Sequence, residues 1–435
     1  MLANLPLWMR LSVLLGVGAI VGAFINWAIY AWAMFLKRPI SPWMKPAEGE
    51  SARIMLDRIP IIGWPGRRRD SNVYGKGFWI RPMTIEVICA VCVPWFYYWL
   101  LTGGLTGGQF PAAGWTAMVE TWFYAYGILL VLMCIGTFID IDEKTIPDQV
   151  TVTGTIVALL FAAFAPSFRL PQVMFGMAKA PSVEPVHYGS PGDVPGWHTE
   201  NWAMIVAMII FAIWIWALLP KLPVWYVGLR KACRFMFAHA LQPRRKTKCE
   251  DRTRFRKTPG LTILLGVLLV AGLLAIFMAW RFLPAINLES LYGSILGMAF
   301  GGGLVWAVRI IGTYAMQKEA MGFGDVTLQA MIGAFVGWQA ALLVFVAAPF
   351  AALFVVLLQY VFTRENVIAF GPYLCTGALL VLYSWHWVWP NAATGVFSLG
   401  PFLLVILGGA LVLMAIMLVV IGWLKGLSQV EESVE

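Results

Sequence analysis

The stretch MGFGDVTL, residues 321–328, holds one carboxylate, Asp325, and lies between two strongly apolar runs. The runs cover residues 290–312 and 341–362, and each is long enough to cross a membrane as a helix. An ionisable side chain at the edge of such a run is costly to desolvate, so it usually has a partner or a function. Asp325 is therefore a candidate functional residue.

The composition of the whole chain indicates a membrane protein with several crossings. Apolar residues make up 60% of the 435 residues and charged residues only 12%, a balance that a soluble surface cannot accommodate. We predict an all-α transmembrane helix bundle with about 10–11 crossings, in which the first run is a retained helix. The apolar runs cover residues 11–36, 84–101, 118–140, 202–219, 261–280, 290–312, 341–362, 371–389 and 401–424, with shorter runs at 150–165 and 326–338.

The distribution of positive charge predicts the orientation of this bundle. If every run crosses, all but four of the 31 Lys and Arg residues lie in segments on one side, and that side is the cytoplasm. The N-terminus is then outside and the C-terminus cytoplasmic, in a multi-pass protein of the cytoplasmic (inner) membrane. The same bias explains the net charge of +9, so we expect membrane lipids and no nucleic acid as partners.

The Cys and His residues do not suggest a metal site. Cys89 and Cys92 form a CAVC sequence inside an apolar run, and the chain has no second pair of this kind. The four His residues lack the spacing of a zinc protease. We therefore predict no metal, and we interpret the two cysteines as structural helix residues.

A second acidic cluster, GTFIDIDEKTIPDQV at residues 136–150, follows another apolar run. That run delivers Asp140 to a membrane edge, and Pro147 begins the next segment. Because an even number of predicted crossings separates Asp140 from Asp325, both are expected to face the cytoplasm at a similar depth. Asp148 and its acidic neighbours are either solvated turn residues or catalytic support.

Two carboxylates in a partly desolvated site can share one proton and divide the work of general base and general acid. The base activates a water molecule that attacks a peptide carbonyl, and the acid protonates the departing group. Gly322 and Gly324 permit unusual backbone angles and leave space for a substrate strand beside Asp325. The pattern thus favours an aspartic peptidase.

Six blocks of sequence resemble, in order, the signatures of one family. They are GAFINWAIY (22–30), DRIPIIGW (57–64), RPMTIEVICA (81–90), FIDIDEKTIPDQVT (138–151), MGFGDVTLQAMIGAFVGWQA (321–340) and AFGPYLCTGA (369–378).

These blocks are similar to those of the type IV prepilin peptidases, membrane aspartic proteases with a GxGD motif. The resemblance implies that Asp140 and Asp325 are the catalytic pair, supported by Gly322, Gly324, Pro147 and Asp148. It also implies removal of the leader peptide from prepilins or pseudopilins at the cytoplasmic membrane face, with no cofactor for proteolysis.

The sequence departs from the family pattern at three places. The first loop, 37–83, lacks the family's paired cysteines and shows no glycine-rich nucleotide motif, which leaves methyl transfer from S-adenosylmethionine open. Thr327 replaces the family's lysine after GDV, so any cation near Asp325 must come from elsewhere, such as Lys318 or Lys144. The segment between the two aspartates is also longer than in the family.

Because of this extra length, we predict that the chain is divided into three parts. Residues 1–165 and 291–435 form two peptidase halves, and the second ends in an extra helix. Residues 166–290 are an insertion with an external Pro/Gly loop, two additional helices and the basic stretch 243–257. That stretch either contacts anionic lipid or docks pilus or secretion machinery.

Two alternative functions are compatible with the same predicted helix bundle. A secondary transporter or ion-binding membrane protein also places carboxylates beside glycine-broken helices, but the chain shows no internal repeat. A catalytically dead scaffold of a pilus or secretion assembly would retain the fold without the chemistry, although both aspartates and both motif glycines are present.

Overall fold

The computed structural model describes residues 5–33, 40–46, 49–110, 114–174, 182–192, 196–219, 259–316, 321–362 and 370–432. Long helices dominate these residues, and the one hairpin found among them has two four-residue strands. The all-α class is therefore confirmed. The long helices are α1 Leu7–Ala31, α2 Ile80–Leu101, α3 Trp115–Glu143, α4 Asp148–Phe164, α5 Asn201–Leu218, α6 Pro259–Phe282, α7 Ala285–Met316, α8 Phe323–Phe362, α9 Gly371–Val388 and α10 Phe402–Glu432.

Eight helices of the described residues are long and apolar enough to cross a membrane. The polytopic prediction is thereby confirmed, although this number is lower than the predicted count of crossings. The difference arises because α4 has only 17 residues, because α9 carries polar residues among its apolar ones, and because two predicted runs fall within α8. The orientation of the termini remains a prediction.

Helix α8 reverses direction at Gly337. This glycine has φ 83° and ψ 168°, which breaks the helix, and only glycine adopts such angles readily. The side-chain amide of Gln329 donates to the carbonyl of Ala341 at 2.8 Å, whereas twelve residues of straight helix would separate them by about 18 Å. The two arms of α8 therefore correspond to the predicted runs 326–338 and 341–362.

The first arm of α8 is the centre of the bundle. Every residue from Asp325 to Gly337 is buried, and α8 as a whole packs most extensively against α7. A Cβ added at Gly297 of α7 would lie 2.1 Å from the carbonyl oxygen of Gly333, so the two backbones touch directly. Such close approach through small residues is typical of membrane helix pairs, and it fixes the position of the arm that begins at Asp325.

An outer segment, defined here as the described residues between 166 and 200, covers the end of the bundle away from Asp325. It contains the antiparallel strands β1 Pro171–Met174 and β2 Ser182–Pro185. Indole N–H groups anchor it to three helices: Trp122 donates to Arg169, Trp338 to Tyr188 and Trp385 to Pro171.

Arg169 holds the outer segment to the break in α8. Its side chain is buried and donates to the carbonyls of Val186 at 2.9 Å and Ser290 at 3.1 Å. A Cβ at Gly293 or Gly337 would lie 2.2 Å or 2.5 Å from the guanidinium, so the two glycines leave the space that it fills. Burial lowers the pKa of Arg169 from its ordinary value.

The loop between α1 and α2 folds around a buried arginine. Arg67 pairs with Glu50 at 2.5 Å and with Asp70 at 3.4 Å, and its guanidinium lies over the ring of Trp64. Burial lowers the pKa of Arg67. The predicted division of the chain at 165 and 290 stays a prediction, and the basic stretch 243–257 lies outside the described residues.

Candidate active site

Asp140 and Asp325 reach the same place from two helix ends. Asp140 belongs to the last turn of α3 and Asp325 to the first turn of α8. Both are buried, with 5% and 7% of their surface exposed, and the two carboxylates lie close enough to interact electrostatically. The structure thus brings together the two side chains that the sequence predicted to share one face of the membrane.

One isoleucine packs between two glycines, one of which lies beside each aspartate. A Cβ at Gly371, the first residue of α9, would lie 2.7 Å from Oδ2 of Asp140 and 2.8 Å from Cδ1 of Ile146. A Cβ at Gly324 would lie 2.9 Å from Cβ of the same Ile146. Ile146 is therefore wedged between the glycine beside Asp140 and the glycine beside Asp325.

Backbone N–H groups support each carboxylate. Gly371 donates to Asp140, and Gly322 donates to Asp325. Asp325 lies in the first turn of α8, and the N-terminus of α9 faces Asp140; the dipoles of these two helices favour negative charge. For Asp140, α9 opposes the effect of the C-terminus of its own helix α3. Oδ2 of Asp140 is buried and has no hydrogen-bond partner among the described residues.

Two cations lie near the pair. Lys144 ends α3 in the left-handed conformation with φ 56° and interacts with Asp140. Arg309 of α7 interacts with Asp325 and donates from Nε to the carbonyl of Met321 at 2.8 Å. The sequence predicts Lys144 and Lys318 as candidate cations for the site; Lys144 lies beside Asp140, and Lys318 lies outside the described residues. No sequence pattern singles out Arg309, which lies within an apolar run.

The predicted supporting residues occupy different positions. Gly324 is packed tightly against Ile146, whereas a Cβ at Gly322 would meet Oδ2 of Asp325 at an ordinary 3.6 Å. Neither glycine has a positive φ, so close packing and an N–H donor, rather than unusual backbone angles, account for them. Pro147 is the N-cap of α4 and is buried. Asp148 is exposed in the first turn of α4, where the helix dipole stabilises its negative charge.

Further residues near the site were not selected from the sequence. Cys375 of α9 is buried within electrostatic reach of both aspartates. The acidic neighbour Asp142 forms an ion pair with Arg81 of α2 at 2.9 Å, which favours a structural role for it. Among the described residues, no group of three or more His, Cys, Asp or Glu side chains is arranged to hold a metal ion.

The fold and the site define a polytopic α-helical membrane protein with a paired-carboxylate centre. Residues 261–357 match the type IV leader peptidase family, which confirms the resemblance predicted from the sequence. The matched region includes Asp325 and both motif glycines, and it begins after Asp140. It also begins within the segment predicted to be an insertion.

Several curated proteins that are similar in sequence to this chain are named as leader peptidases. A prepilin leader peptidase/N-methyltransferase of Escherichia coli K12 is 29% identical over 104 residues, which are 23% of this chain and 46% of the relative. One from Pectobacterium carotovorum is 34% identical over 21% of this chain and 33% of the relative. Leader peptidase HopD of E. coli is 34% identical over 21% of this chain and 60% of that relative. The chain thus matches one third to three fifths of these relatives, and no solved structure was found to match it.

Proposed function

We propose that this chain is an aspartic endopeptidase of the inner membrane, which removes the leader peptide of type IV prepilins or pseudopilin-like proteins at the cytoplasmic face. The observation that carries the proposal is the meeting of Asp140 and Asp325, two buried carboxylates from separate membrane helices. The match to the leader peptidase family and the names of the relatives support it.

The geometry suits hydrolysis of a peptide bond. An ionised aspartate accepts a proton from water, whose oxygen then attacks the scissile carbonyl, while the protonated partner donates to the departing amide nitrogen. The Gly371 and Gly322 amides orient the two carboxylates. Because these donors are fixed by helix ends in a buried site, they need little rearrangement during the reaction.

The position of the pair also suits the substrate class. Asp140 lies at the end of a membrane-spanning helix, so the scissile bond would be presented at the membrane boundary. A prepilin-like substrate, with an extended leader followed by an apolar helix, would place that helix among the lipid-facing helices. Its leader would then remain on the cytoplasmic side, as the charge bias of the loops predicts.

Methyl transfer is not part of the proposal, although relatives carry N-methyltransferase in their names. The family resemblance links binding of S-adenosylmethionine to the first loop, residues 37–83. In the described part of that loop, buried Asp57 pairs with Arg69, and Asp70 pairs with Arg67. A Cβ at Gly63 would lie 2.4 Å from the carbonyl oxygen of Asp57, so this glycine packs against protein. These residues are engaged in contacts within the loop and outline no cradle for the methyl donor, so we derive no methyl-transfer step.

A co-expression experiment tests the substrate class. Candidate prepilins and, as a control, a secreted protein with an ordinary signal peptide would be produced with the wild type or with an Asp140→Asn/Asp325→Asn double variant. We expect a gel shift of prepilins only, and only with the wild type. Failure of the wild type to process any prepilin at normal membrane levels would favour the scaffold or ion-binding alternatives. Processing by the double variant would also contradict the proposal.

A further inference from the structure

A short segment of the first cytoplasmic loop, residues 54–62, exposes an unusual amount of apolar surface. Met55 is 80% exposed and Ile62 is 63% exposed. The segment lies outside the helices that are apolar enough to cross a membrane, so contact with the hydrocarbon core along a span does not explain it. Large exposed apolar side chains clustered within nine residues in this way indicate an interaction surface. The other exposed apolar residues of the segment are Ile54, Leu56 and Ile59.

The segment is tied to a residue inside a membrane helix. The backbone N–H of Ile61 donates to the carboxylate of Glu86 at 2.5 Å, and the Asn26 side chain of α1 donates to the same carboxylate at 3.0 Å. Glu86 is about 9 Å along α2 from its first residue, Ile80. The 22 residues of α2 span about 33 Å. When they are centred on a hydrocarbon core about 30 Å thick, Glu86 lies about 7 Å inside the edge of that core, within the roughly 5–10 Å that the apolar face of an interfacial segment reaches.

The backbone of the segment is held in a costly conformation at this contact. Ile61 has φ 65°, which is uncommon for a β-branched residue and costs of order 1–3 kcal/mol. Such a conformation persists only where the surroundings fix it, and the bond to Glu86 does so. The adjacent Ile59 and Ile62 side chains are therefore held close to Glu86, at a depth that an interfacial anchor reaches.

The charges beside the segment suit an anionic surface. Asp57 is buried and paired with Arg69, so it presents no negative charge outward. Arg58 and Arg68 are exposed, and their guanidinium groups lie over the rings of Trp43 and Trp79, respectively. Apolar side chains next to arginines and tryptophans are the composition of an interfacial membrane anchor.

We propose that residues 54–62 form an interfacial anchor that inserts its apolar side chains into the cytoplasmic leaflet of the surrounding bilayer. Arg58 and Arg68 contact the phosphate groups of anionic phospholipids. The anchor holds the first loop against the membrane beside the end of α3, to which α2 is joined by the ion pair of Arg81 and Asp142. The inference concerns the loop alone and does not depend on the proposed peptidase activity.

Fluorescence quenching in nanodiscs tests the anchor directly. A fluorescent amino acid would be introduced by codon suppression at position 55, at position 62 and, as a control, at the exposed polar position 72 of the same loop. The full-length protein would be reconstituted with phosphatidylcholine alone or mixed with phosphatidylglycerol. Quenching would be measured with phospholipids brominated in their acyl chains and with aqueous iodide.

We expect brominated lipid to quench positions 55 and 62 at least twofold more than position 72, and iodide to show the reverse order. An Arg58→Gln/Arg68→Gln variant should lose the increase in lipid quenching that phosphatidylglycerol produces. Equal quenching at 62 and 72 by both agents would overturn the proposal. Protection of position 62 from both quenchers would also overturn it, because a protein partner or a second copy would then cover the segment.

Discussion

Gly322 and Gly324 belong to the same motif but meet different surroundings, and their substitution by alanine should therefore have different effects. A Cβ at Gly324 would lie 2.9 Å from Cβ and 3.2 Å from the backbone N of Ile146, whereas the nearest atom to a Cβ at Gly322 is 3.6 Å away. Overpacking of a buried site costs about 1–3 kcal/mol, and about 1.4 kcal/mol at the transition state is a tenfold change in rate.

We predict that Gly324→Ala lowers the rate of leader removal about tenfold or more, while Gly322→Ala lowers it less than about threefold. The measurement is the initial rate for purified variants at matched protein concentration. Equal losses in the two variants would show that the motif glycines are required for backbone conformation or substrate approach, and not for packing on Ile146.

Gly371 offers a second test at the level of one residue. The Cβ of Gly371→Ala would fall 2.7 Å from Oδ2 of Asp140, so the carboxylate has to move away from its backbone donor. We predict a loss of leader removal of about tenfold or more with normal amounts of folded protein in the membrane. Gly127→Ala, in α3 with open space around its Cβ, is the matched control. Full activity of Gly371→Ala would remove α9 from the proposed site.

The sequence predicted the two aspartates but not the neighbouring residues that interact with them, Gly371 and Arg309. Asp140 and Asp325 could be selected because carboxylates at membrane edges are rare and an even number of crossings puts them on one face. Gly371 carries no charge, and its importance arises from the distance to Asp140, which no local pattern encodes. Its signal was present only as part of the AFGPYLCTGA block. Arg309 was missed because a cation in a short segment is usually explained by topology.

Helix α8 depends on one backbone conformation at Gly337. With φ 83° and ψ 168°, alanine would be strained by about 1–3 kcal/mol, and its Cβ would also approach Nη2 of Arg169 to 2.5 Å. We predict that Gly337→Ala lowers the thermal unfolding temperature in detergent by several degrees. Gly303→Ala, at an exposed position of α7 with open space around its Cβ, should not lower it, because alanine is a better helix former than glycine. Equal unfolding temperatures for the two variants would argue against the hairpin.

The fold-back of α8 illustrates what hydropathy does and does not predict. The sequence separates the runs 326–338 and 341–362 at Gln339 and Ala340, where one polar residue interrupts the apolar pattern. Their number and approximate bounds were therefore predictable. The direction of the second arm was not, since it follows from the angles of Gly337 and from contacts such as Gln329 with Ala341.

At the scale of the whole molecule, Arg169 couples the outer segment to the bundle that carries the site. Lysine keeps the charge but cannot reproduce the two bonds to Val186 and Ser290, and an unsatisfied buried carbonyl costs about 1–3 kcal/mol. We predict that Arg169→Lys lowers the unfolding temperature and speeds proteolysis of the outer segment. Arg281→Lys, at an exposed position of α6, is the control. Similar stability for both variants would mean that the outer segment is held by other contacts.

The composition alone predicted a helical membrane protein. It did not predict how the outer segment attaches to the helix bundle. Apolar runs and the positive-inside bias depend on single residues and short windows, so they predict helices and an orientation. The outer segment was predicted only as an external Pro/Gly loop. Its attachment through Trp122, Trp338 and Trp385 depends on residues far apart in the chain, and such pairings appear only when the helices are packed.

The most direct test of the paired-aspartate mechanism is the initial rate of leader removal from a purified prepilin by the wild type, Asp140→Asn and Asp325→Asn, with the cut identified by mass spectrometry. Asp142→Asn is the matched control, because its partner is Arg81 and an exposed ion pair contributes only about 0.2–1 kcal/mol. The paired-aspartate mechanism predicts loss of cleavage in both Asn variants and nearly full cleavage in the control. Cleavage by either Asp140→Asn or Asp325→Asn at the wild-type rate would contradict the paired-aspartate mechanism.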